Sequence, residues 1–102
     1  MNEKYIEDFC DQEGYQLLDI ISANKRKDTN IILVSSRNSN KKFIVKLFGQ
    51  NTPDDIKSSF ESEIKFYKTH SFNGIPKFFN AGKNFLVLEF FNGDPLPKII
   101  DQ

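Results

Sequence analysis

The stretch KFIVKLFGQNTPDDIKSSFESEIKFYKT, residues 42–69, contains the change of hydrophobic period on which the fold prediction depends. Its first part, Lys42–Phe48, is an apolar run of strand length and predicts a β-strand. Its second part predicts a long helix to about Thr69, with Thr52 as N-cap and Pro53 at the first helical position. A strand followed by a long amphipathic helix indicates an α+β arrangement in which the helix packs on the sheet.

Two charged residues lie inside the apolar pattern of this stretch. Strand alternation puts Lys46 on the same face as Ile44 and Phe48. The apolar stripe of the helix consists of four residues, namely Ile56, Phe60, Ile64 and Tyr67. Glu63 falls inside the arc of that stripe. Since a lone inward charge is costly, the two residues predict an ion pair between strand and helix. The alternative is that both lie at a rim and extend to solvent.

The residues before this stretch predict a short helix and two further strands. Apolar residues at helical spacing with acids on the other side predict an amphipathic helix over residues 3–12, which Gly14 ends. The apolar runs Tyr15–Ser22 and Asn30–Ser35 predict strands, and the polar, basic residues 23–29 predict the loop between them. These strands and the strand at residues 42–48 should pair as antiparallel hairpins.

The residues after the long helix predict two more strands. Asn73-Gly74 breaks the chain, and strands at Lys77–Asn80 and Phe85–Phe91 follow, joined by a tight turn at residues 81–84. Residues 96–102 predict the start of another helix. The whole order predicts an α+β fold with a five-stranded antiparallel sheet, one long helix on it and a short N-terminal helix.

Composition limits the classes of function. With 102 residues, 38% hydrophobic and 14% aromatic, the chain has the length and apolar content of one folded domain. Basic and acidic residues balance at 14 each, which argues against a dedicated nucleic-acid-binding protein. No apolar run approaches the roughly 20 residues of a membrane span, and the first residues lack a signal-peptide pattern. We therefore expect a cytoplasmic protein that neither binds nucleic acid nor spans a membrane.

Cysteine and histidine occur once each, as Cys10 and His70. This count rules out an internal disulfide, a cysteine-rich zinc site and a two-histidine metal site within one chain. Acidic neighbours of Cys10 disfavour a thiolate, so we expect Cys10 to be a packing residue of the N-terminal helix. His70, at the end of the long helix, fits a favourable partner of the helix dipole better than a base.

Four segments, in this order, resemble the N-terminal lobe of the protein-kinase-like superfamily. Phe43-Ile44-Val45-Lys46 resembles its third-strand lysine motif. Residues 60–67 resemble its αC helix, with Glu63 at the place of the glutamate that pairs with the lysine. Residues 74–79 are similar to the segment that leads into the fourth strand, and residues 85–96 to the fifth strand and hinge.

The resemblance covers most of the chain and divides it into two parts. Residues 1–14 would be an N-terminal helix, and residues 15–102 a kinase N-lobe-like domain that ends just after the hinge. The pattern is most similar to the branch of lipopolysaccharide kinases, RIO-like kinases and aminoglycoside phosphotransferases, in which a hydrophobic-Glu-hydrophobic hinge with a following glycine is frequent.

The resemblance implies an ATP site on the sheet face that carries Lys46. Lys46 would hold the α- and β-phosphates, and Glu63 would steer it. The adenine would be surrounded by five positions: Ile44 in the ceiling, Leu88 as gatekeeper, Ile21 closing the pocket from the first strand, and the backbone of Glu89 and Phe91 at the base edge.

The chain departs from the family pattern in two places. The loop at residues 22–30 contains no glycine, so its backbone cannot approach phosphates as a glycine-rich loop does. Lys25, Arg26 and Lys27 could supply charge there instead, or form a solvated hairpin tip. The catalytic loop and the Asp-Phe-Gly segment, which supply the base and the Mg²⁺ ligands, are absent. We therefore expect no catalytic residue and no metal ligand in this chain, and Mg²⁺ only where a C-terminal lobe is supplied.

Three hypotheses follow. In the first, the chain is the ATP-binding N-lobe of a kinase-like phosphotransferase, inactive alone, which joins a C-lobe in cis or in trans. In the second, it is a stand-alone protein-binding regulator or antitoxin-like partner of a kinase. In the third, it is an unrelated α+β interaction module. A surplus of phenylalanines, which the first hypothesis would place against the C-lobe, comprises Phe72, Phe78, Phe79, Phe90 and Phe91.

Overall fold

The computed structural model describes residues 3–70 and 76–90, except for the side chain of Phe90. The helices and strands of this part are α1 (Glu3–Glu13), β1 (Tyr15–Asn24), β2 (Thr29–Ser36), β3 (Lys42–Phe48), α2 (Asp54–Thr69), β4 (Lys77–Ala81) and β5 (Phe85–Phe90). The strands form one sheet of order β1-β2-β3-β5-β4, in which every neighbouring pair is antiparallel. The predicted α+β class with a five-stranded antiparallel sheet, one long helix and a short N-terminal helix is confirmed.

Strand β3 lies at the centre of the sheet, and its alternate residues point to opposite faces. Phe43, Val45 and Leu47 are buried on one face together with Ile6 and Cys10 of α1. We call this the α1 face. Every side chain in this cluster is apolar or weakly polar, because the alternation of β3 places no charge there.

The opposite face, which we call the α2 face, is covered by the long helix. Phe48 of β3 and Leu86 of β5 form a second core cluster with Phe60 and Tyr67 of α2. The ring centroids of Phe48 and Phe60 lie 4.4 Å apart. The apolar stripe predicted for the helix therefore packs against the sheet, and Lys46 lies on this face.

Helix α1 is held to the sheet by packing and by polar contacts at two places. The hydroxyl of Tyr5 donates to the backbone carbonyl of Phe48 at 3.1 Å. Arg37 contacts Asp11 at 2.6 Å, an exposed ion pair of small energetic weight. Cys10 is buried, and burial raises the pKa of its thiol; the charge of Arg37 opposes this, and the charges of Asp11 and Glu7 add to it. This agrees with a packing cysteine.

Several predicted boundaries differ from the observed ones by one or two residues, and the most informative differences lie beside β1, β2 and α2. β1 continues to Asn24 and β2 begins at Thr29, so their connection is shorter than predicted. The predicted N-cap of α2 is wrong: Pro53 occupies that position, and no side chain caps the helix. The hydroxyl of Thr52 donates instead to the backbone carbonyl of Asp28, at 3.1 Å. The hydroxyl that the local pattern assigned to the helix cap is therefore bonded to a residue much earlier in the chain.

Several predictions fall on residues outside the described ranges. These are the chain break at residues 73–74, Phe72, Phe91 and the helix start at residues 96–102. Within residues 3–70 and 76–90, no helix has both the length and the apolar character needed to cross a membrane.

Candidate functional site

The structure brings Lys46 and Glu63 together between the sheet and α2. Lys46 lies on β3 between Ile31 of β2 and Leu86 of β5, its partners in register. Its neighbours on both sides are apolar, so its ammonium group can only point towards the helix. Glu63 lies on the α2 surface that faces the sheet, between the buried residues of the apolar stripe.

The contact between these two side chains is short and two-pronged. The Lys46 Nζ donates to Glu63 Oε1 at 2.9 Å and to Oε2 at 3.1 Å. The exposed fractions of the two side chains are 3% and 13%. The predicted ion pair is thus confirmed, and the rim alternative is wrong. The Nζ also lies 5.7 Å from the centroid of the Phe48 ring, in the range of a cation–π contact.

This arrangement holds a positive charge at a defined point on the inner face of a sheet. A lysine ammonium is a compact charge that suits phosphate groups, and the two carboxylate oxygens restrict where it can lie. Glu63 is the more exposed partner, so solvent reaches its carboxylate more readily than it reaches the Lys46 ammonium. An anion approaching Lys46 would therefore meet it beside Glu63.

Tyr67 lies one helical turn after Glu63 on the same surface of α2, and its side chain is buried. Burial, and after it the charge of Glu63, raises the pKa of the Tyr67 hydroxyl. Tyr67 is therefore a neutral, hydroxyl-bearing neighbour of the pair. From its sequence pattern Tyr67 belongs only to the apolar stripe, although its four-residue spacing from Glu63 indicates that the two side chains are close.

Two of the residues predicted to contact adenine lie on the face of the pair. Ile44 and Leu88 are partners in register on β3 and β5, and each is only 1% exposed. The structure therefore brings both together near Lys46, but it presents neither to solvent. A base could reach them only after a local opening of the α2 face.

Of the other three predicted adenine positions, the structure describes Ile21 and Glu89. Ile21 is 37% exposed, on an edge strand, and falls at a register shift of β1. Glu89 pairs in register with Phe43, so its side chain belongs to the α1 face, where it lies 3.5 Å from Lys41. This does not bear on the predicted role of its backbone. Phe91 lies outside the described residues.

A second polar arrangement, which the sequence analysis missed, lies at the junction of β3 and α2, residues 49–52. Asp28 is buried and has a φ of 54°, the left-handed region. Its carboxylate accepts the Asn51 N–H at 3.0 Å, and its carbonyl accepts the Gly49 N–H at 2.8 Å. Burial by itself would raise the pKa of Asp28, but hydrogen bonds to the carboxylate, that of Asn51 among them, lower it.

The basic hairpin tip precedes Asp28, at the same end of the sheet as the junction. Lys25 and Arg26 are exposed, and the N–H of Lys27 donates to the side chain of Asn24 at 3.0 Å. Thr29, where β2 begins, lies two residues from the row of Lys46, which is about 7 Å along the strand. The tip therefore begins close to the Lys46 row, at one end of the strands.

Neither sequence nor structure offers a metal centre in the part of the chain that the structure describes. No group of three or more His, Cys, Asp or Glu side chains is gathered there. His70 is the C-cap residue of α2: its Nδ1 lies 2.9 Å from the carbonyl of Phe66, and its ring stacks on the Phe66 ring. His70 therefore lies at the carbonyl end of the helix, and its role as a partner of the helix dipole stays a prediction.

Comparison of the chain with protein-family models, with curated proteins and with solved structures found no match.

Proposed function

We propose that this chain is the ATP-binding N-lobe of a kinase-like phosphotransferase, in which Lys46 binds the nucleotide phosphates and Glu63 orients it. The observation that carries the proposal is the buried, two-pronged Lys46–Glu63 contact between β3 and α2. It is the pair that the kinase-like resemblance assigns to these residues, and it forms on the face that the resemblance requires.

The energetics of such a pair favour a functional explanation over a purely structural one. Removing two charges from water costs several kcal/mol for each ion, and apolar residues of similar volume are often equally stabilising or better. The rest of the α2 face consists of apolar and aromatic side chains that would accommodate such a replacement. A lysine held in place by a carboxylate is explained more simply by an anionic ligand that it binds.

The two ends of ATP make different demands on this arrangement. The phosphates would contact Lys46 where it lies, whereas the adenine would need a local change of conformation first. Lys46 would hold the phosphates, and Ile44 and Leu88 would contact the adenine once the α2 face opens locally. ATP would supply the phosphoryl group. The chain's own residues would bind and orient the nucleotide, whereas a C-lobe, in cis or in trans, would provide the base and the Mg²⁺ ligands.

The direct test is a titration of the ¹⁵N-labelled chain with ATP, without Mg²⁺, followed by amide chemical shifts up to millimolar nucleotide. We expect the largest shifts on β3, on β5 and around Glu63. Lys46→Met should weaken the affinity roughly tenfold or more, the loss of a charge-assisted hydrogen bond. Lys42→Met removes an exposed charge from the same strand and face, so it is the matched control and should leave the affinity unchanged.

A second variant separates orientation from charge. Glu63→Gln keeps the length of the side chain and leaves the charge of Lys46 in place, so we expect a smaller loss of affinity, about threefold. Equal losses of ATP affinity in Lys46→Met and Lys42→Met would show that the nucleotide responds only to the overall charge of the chain. No shift in the wild-type chain at millimolar ATP, with the chain folded, would contradict nucleotide binding by this chain.

The regulator function is the second candidate, and two observations favour it. Ile44 and Leu88 are closed off in the structure, whereas Leu18, Ile20 and Phe79 are exposed apolar residues on the edge strands β1 and β4. This function predicts a specific protein complex and no nucleotide-dependent shifts. Capture of the native polypeptide with an antibody to this domain, and the mass of that polypeptide, distinguish a longer kinase chain, a separate C-lobe and an intact kinase as partners.

A further inference from the structure

We propose that Asp28 is a positioning residue for the Lys46–Glu63 pair, acting through the junction that joins β3 to α2. Lys46 lies three residues before Gly49, where the junction starts, and Glu63 lies on the helix that follows it. The importance of such positioning for ligand binding rests on the proposed function, but the pair itself can be observed without any ligand.

Asp28 makes three hydrogen bonds to the junction, one to each of three of its four residues. Its carboxylate accepts the N–H of Asn51 at 3.0 Å. Its backbone carbonyl accepts both the Gly49 N–H at 2.8 Å and the Thr52 hydroxyl at 3.1 Å. One residue, which directly precedes β2, thereby restrains the path of the chain from the end of β3 to the start of α2.

The beginning of α2 depends on this restraint because the helix has no side-chain cap of its own. The Thr52 hydroxyl, the nearest group that could serve, is bonded to Asp28. Glu63 lies nine residues after Asp54, about 14 Å along a rigid helix. A shift or tilt at the start of α2 is therefore carried to the carboxylate that contacts Lys46.

Two features allow Asp28 to lie against the junction: its left-handed backbone conformation, and the lack of a side chain at Gly49. A φ of 54° is unfavourable for most residues, although Asp and Asn tolerate it better than others. A Cβ at Gly49 would overlap the Asp28 carboxylate, and the three nearest atoms that it would meet all belong to that group. The carboxylate thus occupies a space that only glycine at position 49 leaves open.

The experiment observes the Lys46 ammonium group directly, in the full chain without ligand. A buried, ion-paired lysine exchanges its protons with water slowly enough to give a ¹H–¹⁵N signal, and Lys46→Met assigns that signal by its loss. Asp28→Gly permits the left-handed backbone but removes the carboxylate. We expect it to raise the exchange rate of the Lys46 ammonium roughly tenfold through a looser pair. Asp28→Asn, which keeps an acceptor oxygen and tolerates the same φ, should restore most of the protection.

A stability control separates positioning from general weakening of the fold. Ile32→Val removes one methylene from the α1-face core, on the face of the sheet opposite to Lys46. At a similar loss of thermal stability, it should leave the Lys46 exchange rate within about twofold of wild type. The proposal is overturned if Asp28→Gly leaves the rate unchanged, or if Ile32→Val raises it as much.

A paired substitution provides a second, independent outcome. Gly49→Ala in the wild-type background should displace the carboxylate and loosen the pair, whereas Gly49→Ala combined with Asp28→Gly should add little to Asp28→Gly alone. Additive effects would contradict the contact. ATP titration of the same variants separates the two proposals. If the wild-type chain shows no ATP-induced shifts, but Asp28→Gly still raises the Lys46 exchange rate, nucleotide binding is contradicted and the positioning role stands.

Discussion

The two faces of strand β3 differ in kind, although they are built from alternate residues of one seven-residue segment. The α1 face carries Phe43, Val45 and Leu47 in a cluster closed by α1. The α2 face carries Ile44, Lys46 and Phe48, and its centre is an ion pair. The buried cluster of the first face has the composition that stability alone requires, and the ion pair on that face, Glu89 with Lys41, is partly exposed. The second contains a charged pair that stability does not require, and this contrast is the reason for assigning function to the α2 face.

The largest expected effect tests the α1 face. Phe43→Ala should lower the free energy of unfolding by about 3–5 kcal/mol, because it removes a buried ring that packs against Tyr15 and Phe79. Urea titration measures this loss. In the fraction that remains folded, the slow exchange of the Lys46 ammonium should persist. If the slow exchange is lost although the variant is still fully folded, the two faces are not independent.

A smaller effect tests the α2 face. Lys46→Met leaves Glu63 without its cation and should cost about 2–3 kcal/mol, less than for a fully buried partner because Glu63 retains some solvent. Adding Glu63→Gln should recover about 1–2 kcal/mol of that loss. Chemical denaturation of the two single variants and the double variant gives this coupling energy. Strictly additive losses of stability would mean that Lys46 and Glu63 do not stabilise each other in solution. The control is Lys65→Met, which removes an exposed charge from α2.

The contrast also explains which parts of the structure were predictable from sequence. Period-two and helical patterns located β3 and α2, and the departures from those patterns identified Lys46 and Glu63. Such patterns report which face a residue occupies, so a charged residue on an apolar face stands out. The role of Tyr67 beside Glu63 was within reach of the same method.

The errors concern residues whose positions depend on distant parts of the chain. Thr52 has the side chain of an N-cap, but its hydroxyl is taken by Asp28, 24 positions earlier. Asp28 lies in a polar loop, and the hydrophobic pattern of the sequence indicates neither its left-handed φ nor its burial. Ile21, which the resemblance alone assigned to the pocket, lies where a register shift interrupts β1, and this too was invisible in the sequence. Local periodicity cannot show contacts of this kind.

The smallest expected effect is a pH dependence at Asp28, a residue that belongs to neither face. The pKa of Asp28 is lowered below its ordinary value of 3.8 in the folded chain. The ionised carboxylate therefore favours folding, and its contribution is present above that value and is lost as the pH falls through the folded pKa. Thermal unfolding between neutral and acidic pH should show wild type losing stability relative to Asp28→Asn, which has no charge to lose. Asp19→Asn, at an exposed position of β1, should keep the wild-type profile. If Asp28→Asn instead parallels wild type throughout, ionisation of this carboxylate does not stabilise the fold, and the hydrogen bonds of Asp28 to residues 49–52 act without its charge.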